Sequence, residues 1–246
     1  MKLTREVYAV GGGRSGLGIS DANDCNVYLV DGGDELALID AGCGVDIGPL
    51  LANIEAEGFD PATVHHLLLT HAHADHAGGS AALRQRLGLD VAVSCHSADA
   101  LTQADETAIS LDRARAEGVY PADFHMQPCP IARRLTHNDE VHIGSVTLRA
   151  IELPGHSTDS ICYLLAEGER VCLFTGDTVF VGGGISLLNC DGSSLTSYRR
   201  HIGRLAGLGV EALLPGHSSL CLGGGQEHID TAIEAFKSIW PPPNFR

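Results

Sequence analysis

The chain has 246 residues, of which 44% are hydrophobic and 19% charged, a composition typical of a folded globular protein. Its 16 Lys and Arg against 31 Asp and Glu give a formal net charge of -15, which argues against nucleic acid and anionic membranes as partners. Eight scattered cysteines without a C-x-x-C pair are expected to be reduced, and the absence of a signal pattern or of an apolar run of roughly 20 residues predicts a cytoplasmic protein.

The first half of the chain predicts strands followed by helices. Residues 11–20 are rich in glycine and are expected to form a loop. Strands are predicted at 26–30, 36–39, 64–69 and 91–94, and helices at 47–56, 78–87 and 97–117, the last with a break near Thr107.

The second half repeats this order. Strands are predicted at 146–153, 161–165, 171–174 and 212–214, and helices at 195–208 and 226–239. Three consecutive prolines, at 241–243, end the last helix. Strands followed by helices in each half predict two sheets with helices outside, and since no linker separates the halves, residues 1–246 are expected to form a single domain.

Metal-ligand side chains are concentrated where the strand at 64–69 ends. The sequence from Thr70 to Gly79 is THAHADHAGG, which places His71, His73, Asp75 and His76 within six residues and separates them with small alanines. A lone histidine is usually structural, but H-x-H-x-D-H in a strand-to-helix loop is not a generic cluster. Imidazole nitrogen and carboxylate oxygen are ligands for zinc, iron or manganese, so this segment predicts a metal site.

Three more polar side chains follow apolar strands in the same way. His156, Asp177 and His217 each come directly after a glycine at the end of a predicted strand. Strand ends that share one edge of a sheet are where functional sites assemble, and the glycines allow the backbone to turn sharply there.

Together these four segments resemble the motifs of the metallo-β-lactamase superfamily over residues 23–222. The resemblance implies an α/β protein with a four-layer αββα sandwich, in which two mixed β-sheets have helices outside and the metals lie at one sheet edge. It also implies two divalent metal ions, with zinc favoured over iron or manganese. By the same resemblance the first ion is held by His71, His73 and His156, the second by Asp75, His76 and His217, with Asp177 bridging them and Asp40 and Thr70 supporting the ligands.

The implied chemistry is hydrolysis by a metal-bridging hydroxide, with Asp75 and Asp177 as the catalytic carboxylates. Residues 176–180, GDTVF, resemble the glyoxalase II branch, whose members hydrolyse glutathione thioesters. Residues 181–186 lack the basic residue with which that branch holds glutathione. The predicted substrate is therefore a thioester or ester, without a commitment to glutathione.

Two alternatives stay open. One is a lactonase that resembles the acyl-homoserine lactone hydrolases, which use a tyrosine near the metals, and Tyr198 is the candidate. The other is an iron-dependent thiol dioxygenase or another oxidoreductase, which would hold one iron. We expect a small-molecule substrate with Phe180, Asn189 and Tyr198 on its pocket walls, and a homodimer stays possible. His96 follows a strand and begins a helix, where we expect a capping or supporting role rather than metal ligation.

Overall fold

Two β-sheets lie at the centre of the structure, a computed structural model that describes residues 1–245. The strands within these residues are β1 (Val7–Gly11), β2 (Val27–Asp31), β3 (Leu36–Ile39), β4 (Val64–Leu68), β5 (Asp90–Ser94), β6 (Arg133–Leu135), β7 (Glu140–Ile143), β8 (Val146–Glu152), β9 (Ile161–Leu165), β10 (Cys172–Gly176) and β11 (Ala212–Pro215). The α-helices are α1 (Gly48–Ala56), α2 (Ala74–Ala77), α3 (Ser80–Leu87), α4 (Ala98–Gln103), α5 (Leu111–Ala116), α6 (Leu195–His201) and α7 (Gly225–Ala235). Short 3₁₀ helices occupy Pro61–Thr63 and Ile202–Leu205.

Both sheets are mixed. The first has the order β1-β2-β3-β4-β5-β6, antiparallel from β1 to β3 and parallel from β3 to β6. The second has the order β11-β10-β9-β8-β7, in which only the β10–β11 pair is parallel. Parallel neighbours place several strand carboxyl ends at the same edge of a sheet, and this is the edge that the predicted ligands occupy.

Alternating side chains on the strands build four layers. On β1, Val7 and Ala9 pack toward the second sheet, whereas Tyr8 and Val10 pack toward the outer helices. The outer face of the second sheet is covered by α6 and α7, through residues such as Tyr198. Each sheet is thus buried on both faces, which explains its nearly continuous apolar strands. The expected αββα arrangement is confirmed.

The sequence missed three strands. β1 is apolar and buried but continues directly into the glycine-rich loop, β6 carries two exposed arginines, and β7 alternates exposed and buried residues over four positions. The predicted helix at 97–117 is two helices, α4 and α5, and residues 104–110 between them include the predicted break near Thr107. The last helix ends at Ala235 rather than at 239.

The cysteine thiols and the lengths of the helices are the last two features of the fold. All eight cysteines, which lie in the described part of the chain, have free thiols. Among residues 1–245, no helix has the length and apolar character needed to cross a membrane.

The Tyr163 hydroxyl joins the two sheets below the candidate site. Tyr163 lies on β9 and is fully buried, and its hydroxyl donates a hydrogen bond of 2.8 Å to the carbonyl oxygen of Leu69, just after β4. This bond fixes the end of β4 against the second sheet, one residue before the loop that carries the histidines.

We expect Tyr163→Phe to lower the free energy of unfolding by about 1–3 kcal/mol, because it removes the donor from a buried carbonyl without creating a large cavity. Urea unfolding of both proteins measures the difference. Tyr8→Phe is the matched control, since the Tyr8 hydroxyl donates no hydrogen bond within the described residues. Equal losses in the two variants would contradict the assigned role.

Candidate metal centre

Three histidines converge on one point at the edge of the sheets. His73 Nδ1 lies 3.1 Å from His71 Nε2 and 2.9 Å from His156 Nε2. His71 and His73 come from the loop after β4, and His156 comes from the turn after β8. The structure therefore brings one ligand group together from both sheets, as the sequence predicts.

The hydrogen bonds behind these rings fix which nitrogen faces the site. The Thr70 hydroxyl lies 3.1 Å from His71 Nδ1, and the Ser186 carbonyl oxygen lies 3.1 Å from His156 Nδ1. A carbonyl can only accept, so His156 carries its proton on Nδ1, and Thr70 accepts from His71 because its own proton goes to Asp40. Both rings then present an unprotonated Nε2 toward His73, as metal ligation requires.

A second group lies beside the first. His217 Nε2 is 3.0 Å from Asp75 Oδ2, and His76 Nε2 is 3.8 Å from the same oxygen. Asp75 and His76 belong to α2, the short helix after the histidine loop, and His217 follows β11.

Asp177 stands between the two groups. Its Oδ1 is 3.3 Å from His76 Nε2, and its Oδ2 is 3.5 Å from His217 Nε2 and 3.7 Å from His156 Nε2. One carboxylate thus faces nitrogen atoms of both groups. Together the two groups and Asp177 contain all seven of the ligands that the sequence predicts.

The residues present fit metal cations. His76 Nε2 and Asp177 Oδ1 are buried, and neither has a hydrogen-bond partner within residues 1–245. Buried polar atoms are normally satisfied, so two facing atoms without partners indicate a place for a further group. Five imidazoles and two carboxylates form a donor set typical of zinc and other first-row divalent metals.

The electrostatics of the site favour ligation. Burial lowers the pKa of His71, and it lowers the pKa of His156 to about 4, so both rings stay neutral at pH 7. Burial opposes ionisation of Asp75, but the nearby charges of His76 and His217 outweigh it and hold the pKa of Asp75 below its ordinary value. Burial also opposes protonation of His217, but the Asp177 and Asp75 carboxylates outweigh it and raise the pKa of His217. A metal cation would replace that proton between the same carboxylates.

Asp40 supports the centre from below. The backbone N–H of Thr70 donates to its Oδ1 at 2.7 Å, and the Thr70 hydroxyl donates to its Oδ2 at 2.8 Å. His76 Nδ1 lies 2.8 Å from the same Oδ2 and donates to it, so His76 Nε2 remains available to the site. The structure therefore places Asp40 and Thr70 directly behind the predicted ligands.

The glycines before the ligands serve two purposes. Gly176 has φ of 49°, in the left-handed region that favours glycine, and an added Cβ would lie 2.6 Å from Thr70 Oγ1. At Gly216 the φ is ordinary, but a Cβ would lie 2.5 Å from His76 Cε1 and 2.7 Å from Asp177 Oδ1. The expected sharp turn thus describes Gly176, whereas Gly216 is needed because the ligands leave no room for a side chain.

A cavity of about 520 Å³ opens over the centre. Its floor contains His73, Asp75, His156, Asp177 and His217. Its walls include Ser110, Ile109, Leu111, Arg113, Ala114, Glu117, Val119, Tyr120, Ser186, Leu188, Asn189, Cys190 and Phe245. Asn189 therefore lies on the wall, as expected from the sequence.

The segment 243–245 forms part of this wall. The backbone N–H of Ile185 donates to the Pro243 carbonyl oxygen at 2.9 Å, and the N–H of Phe245 donates to the Ile185 carbonyl oxygen at 2.7 Å. The Phe245 ring stacks on Phe180 with 4.5 Å between the ring centroids, and it lies parallel to His217 with 6.0 Å between them.

Tyr198 and Phe180 need correction as pocket walls. Tyr198 is fully buried, and its hydroxyl donates to the carbonyl oxygens of Asp177 and Ser186, at 3.2 Å and 3.1 Å. It lies below the ligand loops because the outer face of the second sheet packs on α6. Phe180 is also buried and touches the cavity only through Phe245, which covers it.

Sequence reasoning missed several residues of the site. Tyr120 and three residues of α5, Leu111, Arg113 and Ala114, lie on the cavity wall, and the helical pattern of α5 gives no sign of which surface it covers. Asp159 is buried, and its Oδ2 accepts a hydrogen bond of 2.9 Å from the backbone N–H of Ala72, within the histidine loop. Its position three residues after His156 is the feature of the sequence that could have identified Asp159 as a second carboxylate supporting the histidine loop.

Comparison with known proteins agrees with this geometry. The family model of the metallo-beta-lactamase superfamily matches residues 20–217. An atrochrysone carboxyl ACP thioesterase of Aspergillus fumigatus is 30% identical over 89% of this chain, which spans only 58% of that relative's length. A human acyl-coenzyme A thioesterase is 33% identical over 79% of the chain and 73% of its own length.

Two more distant similarities concern the branch and the fold. A hydroxyacylglutathione hydrolase of Bradyrhizobium is 29% identical over 55% of the chain and 40% of its own length. A metallo-beta-lactamase of Cronobacter sakazakii has a TM-score of 0.73 with 21% identity, covering 96% of this chain and 95% of the other. At that identity the structural similarity shows the fold alone.

We expect Gly216→Ala to weaken metal binding by at least about tenfold, because the new methyl group must displace His76 or Asp177. Zinc titration of the metal-free protein measures the affinity. Gly203→Ala is the control, since a Cβ there meets open space. Unchanged zinc affinity in Gly216→Ala would show that these two side chains are not ligands.

We expect Asp40→Asn to weaken metal binding by about 10–100-fold, because an amide cannot accept from all three donors that now meet the carboxylate. Asparagine tolerates the φ of 65° at this position, so the fold should survive. Isothermal titration with zinc compares this variant with Asp31→Asn, which lies at the far end of β2. If both variants bind zinc as the unmodified chain does, Asp40 does not support the ligands.

Proposed function

Because the chain belongs to the metallo-beta-lactamase superfamily, we propose that it is a metal-dependent hydrolase of thioesters with two divalent cations, zinc being the first choice. The observation that carries the proposal is the gathering of seven buried or half-buried histidine and aspartate side chains from both sheets, with His76 Nε2 and Asp177 Oδ1 left without partners. Two groups of three ligands with a shared carboxylate suit two cations better than the single iron of a thiol dioxygenase.

The ligand assignment follows the two groups. His71, His73 and His156 would hold one cation, Asp75, His76 and His217 the other, and Asp177 both. Bound there, the cations would supply Lewis acidity and lower the pKa of water to about 7, so that hydroxide is available at neutral pH.

The chain's own residues orient the reaction. Asp75 Oδ2 and both Asp177 oxygens face the space between the histidines, where they can accept and hold the proton of an attacking water. The side chain of Asp177 is only 9% exposed, so its interaction with that proton is screened less than it would be in bulk water.

The cavity walls favour an acyl substrate. Ile109, Leu111, Val119, Leu188 and Phe245 offer apolar contacts beside the candidate centre, where an acyl chain can lie while its carbonyl reaches the floor. Thioesterase relatives of two kinds, one for an acyl carrier protein and one for coenzyme A, support the thioester as the scissile group.

The residues on which the glutathione and lactone hypotheses rested do not favour either substrate. Arg113 is the only lysine or arginine among the described residues that line the cavity, and it lies on α5 rather than in the segment 181–186. The tyrosine that suggested a lactonase, Tyr198, has its hydroxyl engaged with two backbone carbonyls.

We expect the zinc-loaded chain to release free thiol from acyl thioesters, and Asp177→Asn to lower kcat by at least about 100-fold. A panel of coenzyme A, N-acetylcysteamine and glutathione thioesters, with lactones and phosphodiesters alongside, measures the specificity. Zinc content is determined on each sample, because Asp177 is also a proposed ligand.

Asp34→Asn is the matched control, as Asp34 lies exposed in the β2–β3 turn. Turnover of lactones or phosphodiesters without any thioester turnover would contradict the proposed substrate class. Full activity of Asp177→Asn would contradict the proposed centre.

A further inference from the structure

A second cluster of ligand atoms lies outside the candidate centre. Cys95, His96 and Glu152 each offer one atom, and these three atoms all lie within 4.8 Å of one another. Cys95 and His96 follow β5 of the first sheet, whereas Glu152 is the last residue of β8 in the second sheet. The cluster therefore spans the two sheets.

The three side chains make no hydrogen bonds to one another. His96 Nε2 and Glu152 Oε1 are 3.9 Å apart, too far for a hydrogen bond. Within residues 1–245, neither the Cys95 thiol nor the His96 ring makes a hydrogen bond. The capping role expected for His96 is therefore wrong, because no side chain caps α4. The gap is of the size that a cation between ligands would close with a small side-chain adjustment.

Arg204 is a positively charged side chain that lies near the cluster. Arg204 Nη1 lies 3.9 Å from Glu152 Oε2 and donates a hydrogen bond to the Glu152 carbonyl oxygen. It faces the other carboxylate oxygen, so Oε1 remains turned toward His96. The positive charge of Arg204 lowers the affinity of the cluster for a cation, but Arg204 does not occupy the three ligand atoms.

The donor set and its exposure define the ligand class. A sulfur, an imidazole nitrogen and a carboxylate oxygen together suit borderline-soft divalent metals, above all Zn²⁺, and not the hard cations Mg²⁺ and Ca²⁺. The His96 side chain is 52% exposed and that of Glu152 is 20% exposed, so a cation can enter from solvent.

We propose that Cys95, His96 and Glu152 form an additional Zn²⁺-type site that links the two sheets beside the candidate centre. On binding, the Cys95 thiol loses its proton to solvent as the metal–sulfur bond forms, and water completes the coordination. Glu152 lies four residues before His156, so an occupied site fixes the strand end that leads to the candidate centre.

Cobalt titration of the metal-free full chain tests the site. Cobalt bound to thiolate gives a charge-transfer absorption in the near ultraviolet, whereas the seven side chains proposed as ligands of the candidate centre are histidines and aspartates and give none. We expect this band in the unmodified chain and in Cys221→Ser, which changes another half-buried cysteine, and we expect its loss in Cys95→Ser. A band that is absent from the unmodified chain, or that survives in Cys95→Ser, overturns the proposal.

Equilibrium dialysis at one free zinc concentration gives a second measurement. We expect Cys95→Ser and Glu152→Gln each to bind one zinc fewer than Cys221→Ser, with site affinity lowered at least about tenfold. Equal zinc content in all variants overturns the proposal. Neither readout uses turnover, so the outcome is independent of whether the chain hydrolyses thioesters.

Discussion

The buried carboxylate of Asp40 makes the contacts on which the rest of the candidate centre depends. Only 2% of Asp40 is exposed, and its charge is tolerated because three donors, from Thr70 and His76, surround it. These bonds tie the end of β3 to the loop after β4. They also decide the tautomer of His76, and Thr70 in turn accepts from His71, so one carboxylate orients two of the histidines.

The second sheet supplies the remaining ligands, and it must therefore keep its position against the first. The apolar core between the sheets does most of this, with side chains from β1 to β6 packed on those from β7 to β11. The Tyr163 hydroxyl adds a directional bond at the end of β4. His156, Asp177 and His217 then leave their strands at the same edge, and the loop of His217 packs closely on His76 and Asp177 at Gly216.

The sequence allowed prediction of the sandwich and of the residues that meet at its edge, because both follow from strong local patterns. Apolar strands bounded by glycine, with histidine or aspartate next in the chain, identify strand ends directly. β6 and β7 were missed because two residues of each face solvent, so their apolar signal is weak.

The cavity walls were not predictable for a different reason. Tyr120, Leu111 and Phe245 reach the site through tertiary packing, and no spacing in the sequence records which surface a short helix covers. Tyr198 was placed on the wall wrongly for the same reason. It lies near the ligands in the sequence, but its helix packs on the outer face of the second sheet, so the side chain lies beneath the ligands.

The cavity wall formed by residues 243–245 is held in place by different contacts from those that hold the cavity floor. The floor is held by buried hydrogen bonds and by strand ends from both sheets. This wall is held by backbone bonds to Ile185, by two hydrogen bonds between the Asn244 side chain and the Leu187 backbone, and by a ring stack on Phe180. Phe245 also lies parallel to the ring of His217, so a replacement there changes the entrance and the surroundings of a proposed ligand together. Substrate range and metal retention are therefore coupled at this position, and selection on the first acts on the second as well.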